Sequence, residues 1–137
     1  MTTTRPPYTG HCLCGAVRYE VNGPLTDLHA CHCGQCRRQS GHFVAGASAQ
    51  LSDFVLLSDQ TLAWYKSSEW ARRGFCSACG TALFWSNDTD FIGINAGSLD
   101  QPTGLKLERH IFVEDKADYY EIDADGLPRF EGYDRRV

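Results

Sequence analysis

The stretch Cys31-His32-Cys33-Gly34-Gln35-Cys36 places three thiols within six consecutive residues, and this stretch decides how the rest of the chain is organised. Thiolate sulfur is a soft ligand that suits zinc. A tetrahedral zinc ion with three protein ligands keeps its fourth position free for water or substrate. The stretch therefore predicts a zinc site with an open coordination position.

Two further cysteine pairs lie on either side of this stretch, Cys12-x-Cys14 upstream and Cys76-x-x-Cys79 downstream. Together they supply the four thiolates of a closed structural zinc site. The seven cysteines of the chain then divide into four structural ligands and three at the open site. Because zinc–thiolate binding contributes about 10 to 16 kcal/mol to the folding of small zinc-finger peptides, loss of a structural ligand is expected to unfold its surroundings. Iron is the alternative metal for these pairs.

The three-thiol stretch also has a second interpretation. It is a second closed structural zinc site if His11, His32 or His42 supplies a fourth ligand. No residue stands at the spacing of a further knuckle, which favours the open site. Three thiolates on Zn²⁺ leave about one net negative charge, so the ion would activate bound water weakly, whereas a bound thiol is deprotonated and becomes a nucleophile. A thiol is therefore the substrate that we expect at the fourth position.

Three polar side chains that follow the stretch are candidates for work on the substrate. Arg37 and Arg38 come directly after the last thiol, where a guanidinium group is able to offset the excess negative charge or bind a substrate carboxylate. Solvated surface positions are the alternative for both arginines. His42 is the candidate for proton transfer, because its unperturbed pKa suits that role. Arg72 and Arg73, before the second knuckle, are expected to be structural or surface residues.

Length and composition predict one folded domain. The chain has 137 residues, of which 42% are hydrophobic and 22% charged, so we expect a tail over residues 1–8 and a single zinc-binding domain over 9–137. The formal net charge of -4 disfavours nucleic-acid binding. No apolar run approaches the ~20 residues of a membrane span, and the amino terminus lacks a signal-peptide core, so we expect a cytoplasmic protein with reduced thiols and no membrane association. These features do not predict the oligomeric state.

Short alternating segments predict a mainly β domain. Val17, Tyr19 and Val21 alternate with Arg18 and Glu20, as expected of a half-buried strand. Further strands are predicted over 43–49, 54–57, 61–65, 81–85, 91–96 and 105–113. A helical turn through 37–39 is expected after the three-thiol stretch, while 116–121 fits either a helical turn or a strand.

Four segments together, 10–21, 31–41, 75–81 and 109–113, resemble the glutathione-dependent formaldehyde-activating enzyme family, to which centromere protein V also belongs. The resemblance implies a β-tent fold similar to the Mss4-like group, built from short antiparallel strands with zinc knuckles and few helical turns. It also implies two Zn²⁺ ions per chain. The structural ion would be held by Cys12, Cys14, Cys76 and Cys79, and the catalytic ion by Cys31, Cys33 and Cys36. The reaction of this family joins glutathione and formaldehyde to S-hydroxymethylglutathione, and its members are classed as carbon–sulfur lyases.

Two hypotheses about function follow from these observations. The first is a zinc-dependent carbon–sulfur lyase that acts on adducts of glutathione, or another thiol, with a small aldehyde such as formaldehyde. The second is a non-enzymatic zinc-binding module for protein interaction or metal handling. The second hypothesis predicts a fourth protein ligand at the three-thiol site and no affinity for thiols.

Overall fold

A computed structural model describes residues 6–133 and shows a mainly β protein, as predicted. The described residues form ten strands and one α-helix. The strands are β1 (Tyr8–His11), β2 (Arg18–Val21), β3 (Leu28–Cys31), β4 (Val44–Gln50), β5 (Phe54–Ser58), β6 (Leu62–Lys66), β7 (Arg72–Cys76), β8 (Ala82–Ser86), β9 (Phe91–Asn95) and β10 (Leu107–Ile111), and the helix is α1 (Gly34–Ser40). Short 3₁₀ turns occupy Leu51–Asp53, Ala96–Ser98 and Val113–Asp115. Within the described part of the chain, no helix has the length and apolar character needed to cross a membrane.

The strands form two sheets. The smaller sheet has the order β1-β2-β5, and the larger has the order β10-β3-β4-β9-β8-β7-β6. Neighbouring strands are antiparallel, except for the parallel pair of β10 and β3. Because β3 and β10 are far apart in the sequence, this parallel pair brings the end of the domain beside the three-thiol stretch.

Several boundaries differ from those expected. The segment 10–21 is a hairpin of β1 and β2, with the first cysteine pair in its turn. Tyr8 already pairs with Val21 in this hairpin, so the expected tail over 1–8 extends too far; residues 1–5 lie outside the described residues. Residues 28–31 form a strand that is not among those predicted from the sequence. The segment 116–121 forms neither a helical turn nor a strand and contains an ordinary turn.

The core lies between the two sheets and confirms the predicted alternation in β2. Val17, Tyr19 and Val21 are fully buried, while Arg18 is exposed. The Tyr19 ring packs edge-on against Phe84 of the larger sheet, with ring centroids 5.1 Å apart. Aromatic and aliphatic side chains of this kind supply the largest share of the burial that stabilises a small domain.

One hydrogen bond inside this core has a defined direction. The Ser98 hydroxyl lies 2.8 Å from the Asn95 carbonyl oxygen and 2.6 Å from the Tyr19 hydroxyl. Because a carbonyl oxygen only accepts, Ser98 donates to Asn95 and Tyr19 donates to Ser98. Burial raises the pKa of Tyr19 well above its usual value, so the phenol keeps its proton and remains the donor.

The two partners of this hydrogen bond are expected to differ in their effect on stability. Tyr19→Phe removes the donor and leaves Ser98 bonded to Asn95, at a cost of about 1 kcal/mol in the free energy of unfolding. Ser98→Ala leaves the buried Tyr19 hydroxyl without its acceptor, at a cost of about 1 to 3 kcal/mol. Urea unfolding of both variants measures the difference, with the exposed Tyr65→Phe as control. Equal costs for Tyr19→Phe and Ser98→Ala would contradict the assigned direction.

Candidate functional site

The first cysteine cluster joins the two sheets. The sulfur atoms of Cys12, Cys14, Cys76 and Cys79 all lie within 4.8 Å of one another. Cys12 and Cys14 sit in the turn between β1 and β2, whereas Cys76 ends β7 and Cys79 lies in the turn before β8. The structure therefore brings together the four residues that the sequence assigned to a structural metal site.

Polar groups around this cluster favour the thiolate form of Cys76 and Cys79, whereas at Cys14 the Ala16 backbone contact is outweighed by hydrogen bonding with the Cys12 thiol and by burial, which raise the pKa of Cys14. The backbone N–H groups of Val17 and Cys79 donate to the sulfurs of Cys12 and Cys76 at 3.3 and 3.4 Å. The Thr81 hydroxyl, 3.1 Å from the Cys79 sulfur, lowers the pKa of Cys79 to about 5. The Thr61 hydroxyl, which lies 3.2 Å from the Cys76 sulfur, likewise lowers the pKa of Cys76. The four sulfurs together match the donor set of a closed zinc site.

The second cluster consists of Cys31, Cys33 and Cys36, whose sulfurs also lie within 4.8 Å of one another. Cys31 ends β3, Cys33 caps the start of α1, and Cys36 lies in its first turn. The Cys33 sulfur accepts the backbone N–H of Cys36 at 3.3 Å. Hydrogen bonds from the Cys31 and Cys36 thiols lower the pKa of Cys33. This all-sulfur donor set again suits zinc.

No cysteine, histidine, aspartate or glutamate in the described chain adds a fourth ligand to this cluster. The nearest candidate by sequence, His32, is 2% exposed, and both of its ring nitrogens are engaged elsewhere. Nδ1 lies 2.6 Å from the Tyr120 hydroxyl, and Nε2 lies 3.0 Å from His110 Nδ1. Of the other two candidates, His11 hydrogen-bonds to the Cys12 carbonyl and His42 is exposed. Within residues 6–133 the three-thiol cluster is therefore open.

The hydrogen bonds of His32 belong to a network that runs from Tyr120 to Asp125. His110 Nε2 lies 2.8 Å from an Asp125 carboxylate oxygen, which only accepts, so that nitrogen carries the proton. His110 Nδ1 in turn hydrogen-bonds to His32 Nε2, and His32 Nδ1 hydrogen-bonds to the Tyr120 hydroxyl. Burial lowers the pKa of His32 to about 4, in keeping with a neutral ring. These hydrogen bonds tie His32, which lies between Cys31 and Cys33, to the segment that follows β10.

Arg73 is a site residue that the sequence pattern did not indicate. It was expected to be structural or surface, yet it is 8% exposed and its guanidinium group lies at the second cluster. One terminal nitrogen is 3.6 Å from the Cys36 sulfur and 3.2 Å from the Gln39 side-chain oxygen. The other is 3.2 Å from the Gln35 side-chain oxygen. A fixed positive charge beside three sulfurs offsets the net negative charge of a trithiolate metal site.

The three sulfurs lie at the wall of a cleft of about 420 Å³. This volume falls within the range of about 300 to 1,000 Å³ that is common for sites that bind small organic molecules. Arg73 lines the cleft beside the sulfurs, and much of the remaining wall is aromatic. The aromatic lining residues are Trp70, Trp85, Phe91, Phe112 and Tyr133.

The three other predicted site residues lie around α1. Arg37 is half-buried, with a terminal nitrogen 3.5 Å from the Asp115 carbonyl oxygen, and Arg38 is exposed. The exposed His42 ring contacts the edge of the Tyr120 ring, with centroids 4.4 Å apart. None of the three is among the described residues that line the cleft. Substrate binding by Arg37 and Arg38 and proton transfer by His42 stay predictions.

The two cysteine clusters are expected to respond differently to loss of one ligand. Cys76→Ser should remove one of two bound metal ions and lower stability by several kcal/mol, because it opens the contact between the two sheets. Cys33→Ser, the matched variant, should remove the other ion and leave the fold intact. Metal content per chain and urea unfolding measure both effects. If Cys76→Ser keeps both ions and the original unfolding midpoint, the structural assignment is wrong.

Comparison with known proteins agrees with this geometry. The chain is 30% identical over 120 residues to a Schizosaccharomyces pombe protein named as an uncharacterized lyase, a match that covers 85% of this chain and 86% of the relative. It is 29% identical over 137 residues to a Halomonas elongata protein provisionally named glutathione-dependent formaldehyde-activating enzyme, covering 90% and 87% of the two chains. A crystal structure of a Rhodobacter sphaeroides protein shares the fold, with a TM-score of 0.59 and 23% identity over 88% of this chain and 98% of that one.

The model of one protein family matches residues 7–115, which include both cysteine clusters and Arg73. That match covers most of the chain. The chain therefore belongs to the glutathione-dependent formaldehyde-activating enzyme family.

Proposed function

We propose that this protein is a zinc-dependent carbon–sulfur lyase that acts on the adduct of a thiol, glutathione in the first instance, with a small aldehyde. The observation that carries the proposal is the open three-sulfur cluster at the wall of the cleft. A cluster built only to hold structure has four protein ligands, as Cys12, Cys14, Cys76 and Cys79 would supply at the first site. The names of the two relatives, one a lyase and one a formaldehyde-activating enzyme, support the same class of reaction.

The reaction needs a thiolate at neutral pH and a carbonyl carbon held beside it. A zinc ion held by Cys31, Cys33 and Cys36 would supply the first of these, because a thiol that coordinates zinc loses its proton. The cleft supplies the second, since it holds the aldehyde carbon against the sulfur and raises the effective concentration of the two groups. In the forward direction a carbon–sulfur bond forms, and the proton released by the thiol ends on the carbonyl oxygen. The reverse reaction breaks the same bond and returns thiol and aldehyde.

The residues around the cluster hold it in one arrangement. Arg73 places positive charge beside Cys36, and Gln35 and Gln39 keep the guanidinium group in place. The hydrogen bonds that link His32, His110 and Asp125 hold the His32 ring away from the open coordination position of the three-sulfur cluster. These contacts leave the fourth position to the thiol. His42, which packs against the edge of Tyr120, stays the candidate for proton transfer to the emerging hydroxyl.

The proposal is tested by Cys33→Ser. We expect this variant to stay folded through the first cluster and to lose measurable turnover of glutathione with formaldehyde. Turnover is followed as formation and decay of S-hydroxymethylglutathione, and Tyr65→Ala, at an exposed position on β6, serves as the matched surface control. Unchanged turnover in folded Cys33→Ser would refute the mechanism. Wild-type protein that carries two metal ions but neither binds glutathione nor turns it over would favour the non-enzymatic zinc module.

Arg73 gives a second test, because its neighbour in β7 is a natural control. Arg73→Gln removes the positive charge at Cys36 and is expected to lower activity or metal affinity at the open site by about 10- to 100-fold. Arg72→Gln removes an equal charge from the opposite face of β7. There the guanidinium carbon of Arg72 lies 4.1 Å from the centroid of the Trp64 ring. Arg72→Gln should leave activity and metal affinity at the open site within about twofold of the wild-type values. Measurements of kcat/KM and of metal affinity under competition with a chelator compare the two variants, and equal effects would remove Arg73 from the site.

A further inference from the structure

We propose that the cleft beside the three-sulfur cluster takes an apolar, preferably aromatic, group attached to the carbonyl carbon. The favoured substrate is then the thiol adduct of an aryl-bearing or branched aldehyde, and formaldehyde is a poor fit. This inference rests on the proposed lyase function and deepens it.

The floor of the cleft is one face of the larger sheet. In the strand register Arg73 pairs with Trp85, Trp85 with Gly93, and Gly93 with Ser48, so these four positions form a row across β7, β8, β9 and β4. Gly93 contributes no side chain to this row. A Cβ atom there would lie 3.3 Å from Trp85 Cβ, so the glycine lets β8 and β9 approach closely at this point of the row. The floor is therefore open and flat beside an aromatic ring.

The wall next to this floor is a run of three aromatic rings. Trp70 meets Trp85 edge to face, with ring centroids 6.0 Å apart and the planes at 76°. Trp85 and Phe91 are nearly parallel, with centroids 6.2 Å apart and 28° between planes. Trp70 nevertheless remains 64% exposed, which is high for the largest apolar side chain in a protein. A ring that stacks or packs edge-on against this run would cover it.

The charge of the lining fits an apolar group better than a charged one. Of the Arg, Lys, Asp and Glu side chains in the described chain, Arg73 and Asp115 line the cleft. The terminal nitrogens of Arg73 are bound to Cys36, Gln39 and Gln35, and Asp115 would repel a carboxylate. Among residues 6–133, the cleft thus offers the carboxylates of glutathione no dedicated cation. The peptide part of the thiol is expected to lie toward the mouth, with the aldehyde part inside.

Size leads to the same conclusion. A hydroxymethyl group would fill little of the cleft, whose volume beside the sulfurs is roughly 420 Å³. Most of that volume would then hold water in contact with the aromatic walls. An aryl or branched alkyl group on the same carbon would displace that water and bury its own apolar surface. Because Cys31, Cys33 and Cys36 line the same cleft, a group on the carbon next to a bound sulfur enters this space directly.

The first experiment separates binding from catalysis. The metal-loaded full chain is titrated with 2-phenylethanol and with ethanol, which do not react, while tryptophan fluorescence and calorimetry follow binding. We expect 2-phenylethanol to bind at least about tenfold tighter, since small apolar additions in a matching pocket are worth about 10- to 200-fold. Trp70→Ala should reduce that preference about tenfold, and Tyr65→Ala, with a similarly exposed ring, should leave it unchanged. Equal binding of the two alcohols would overturn the inference.

The second experiment compares turnover of glutathione with phenylacetaldehyde and with formaldehyde. A kcat/KM at least about tenfold higher for phenylacetaldehyde, lowered by Trp70→Ala, is the expected result. Turnover of formaldehyde alone, with no preference for 2-phenylethanol, would overturn this inference and leave the lyase proposal standing. Selective binding of 2-phenylethanol with no turnover of either aldehyde would refute the lyase proposal and support the apolar cleft.

Discussion

The four sulfurs of Cys12, Cys14, Cys76 and Cys79 are the contact on which the rest of the structure depends, because they join hairpins from different sheets. The turn between β1 and β2 belongs to the smaller sheet, and the turn between β7 and β8 belongs to the larger. Packing of Tyr19 on Phe84 makes a second contact between these sheets. A metal ion held by four thiolates fixes their relative position more strongly than single apolar contacts do. With the hairpins fixed, Arg73 on β7 has a defined place opposite α1.

The open cluster depends on contacts that are distant in sequence. Cys31 ends a strand whose parallel neighbour, β10, comes about 80 residues later. That pairing brings His110 beside His32, and the segment that follows β10 adds Tyr120 and Asp125. On the other side, Arg73 of β7 reaches the first turns of α1. The local spacing of the three thiols therefore sets the donor atoms, while two remote segments set their surroundings.

The sequence was sufficient to divide the seven cysteines into the two clusters that the structure shows and to predict most strands, because both depend on local pattern. Cysteine spacing identifies metal knuckles, and alternation in β2 identifies a half-buried strand. It was insufficient for Arg73, because two adjacent arginines on a strand point to opposite faces, and only the register of β7 with β8 shows which of them meets the site. The hairpin in 10–21 and the parallel pairing of β3 were missed for a similar reason. Strand pairing is a property of the whole sheet and has no local signature in these short segments.

The open position is itself a consequence of how the histidine at 32 is held. Its place between two thiols makes it the obvious fourth ligand, and a free imidazole there would compete for the metal. Its nitrogens instead hydrogen-bond to the Tyr120 hydroxyl and to His110, and His110 Nε2 donates to the Asp125 carboxylate. Coordination would require one of these buried hydrogen bonds to break and would leave a polar group without a partner, which costs about 1 to 3 kcal/mol. The residues that keep His32 away from the sulfurs thus determine that the cluster presents three ligands, and a three-ligand cluster on a cleft is what a thiol substrate requires.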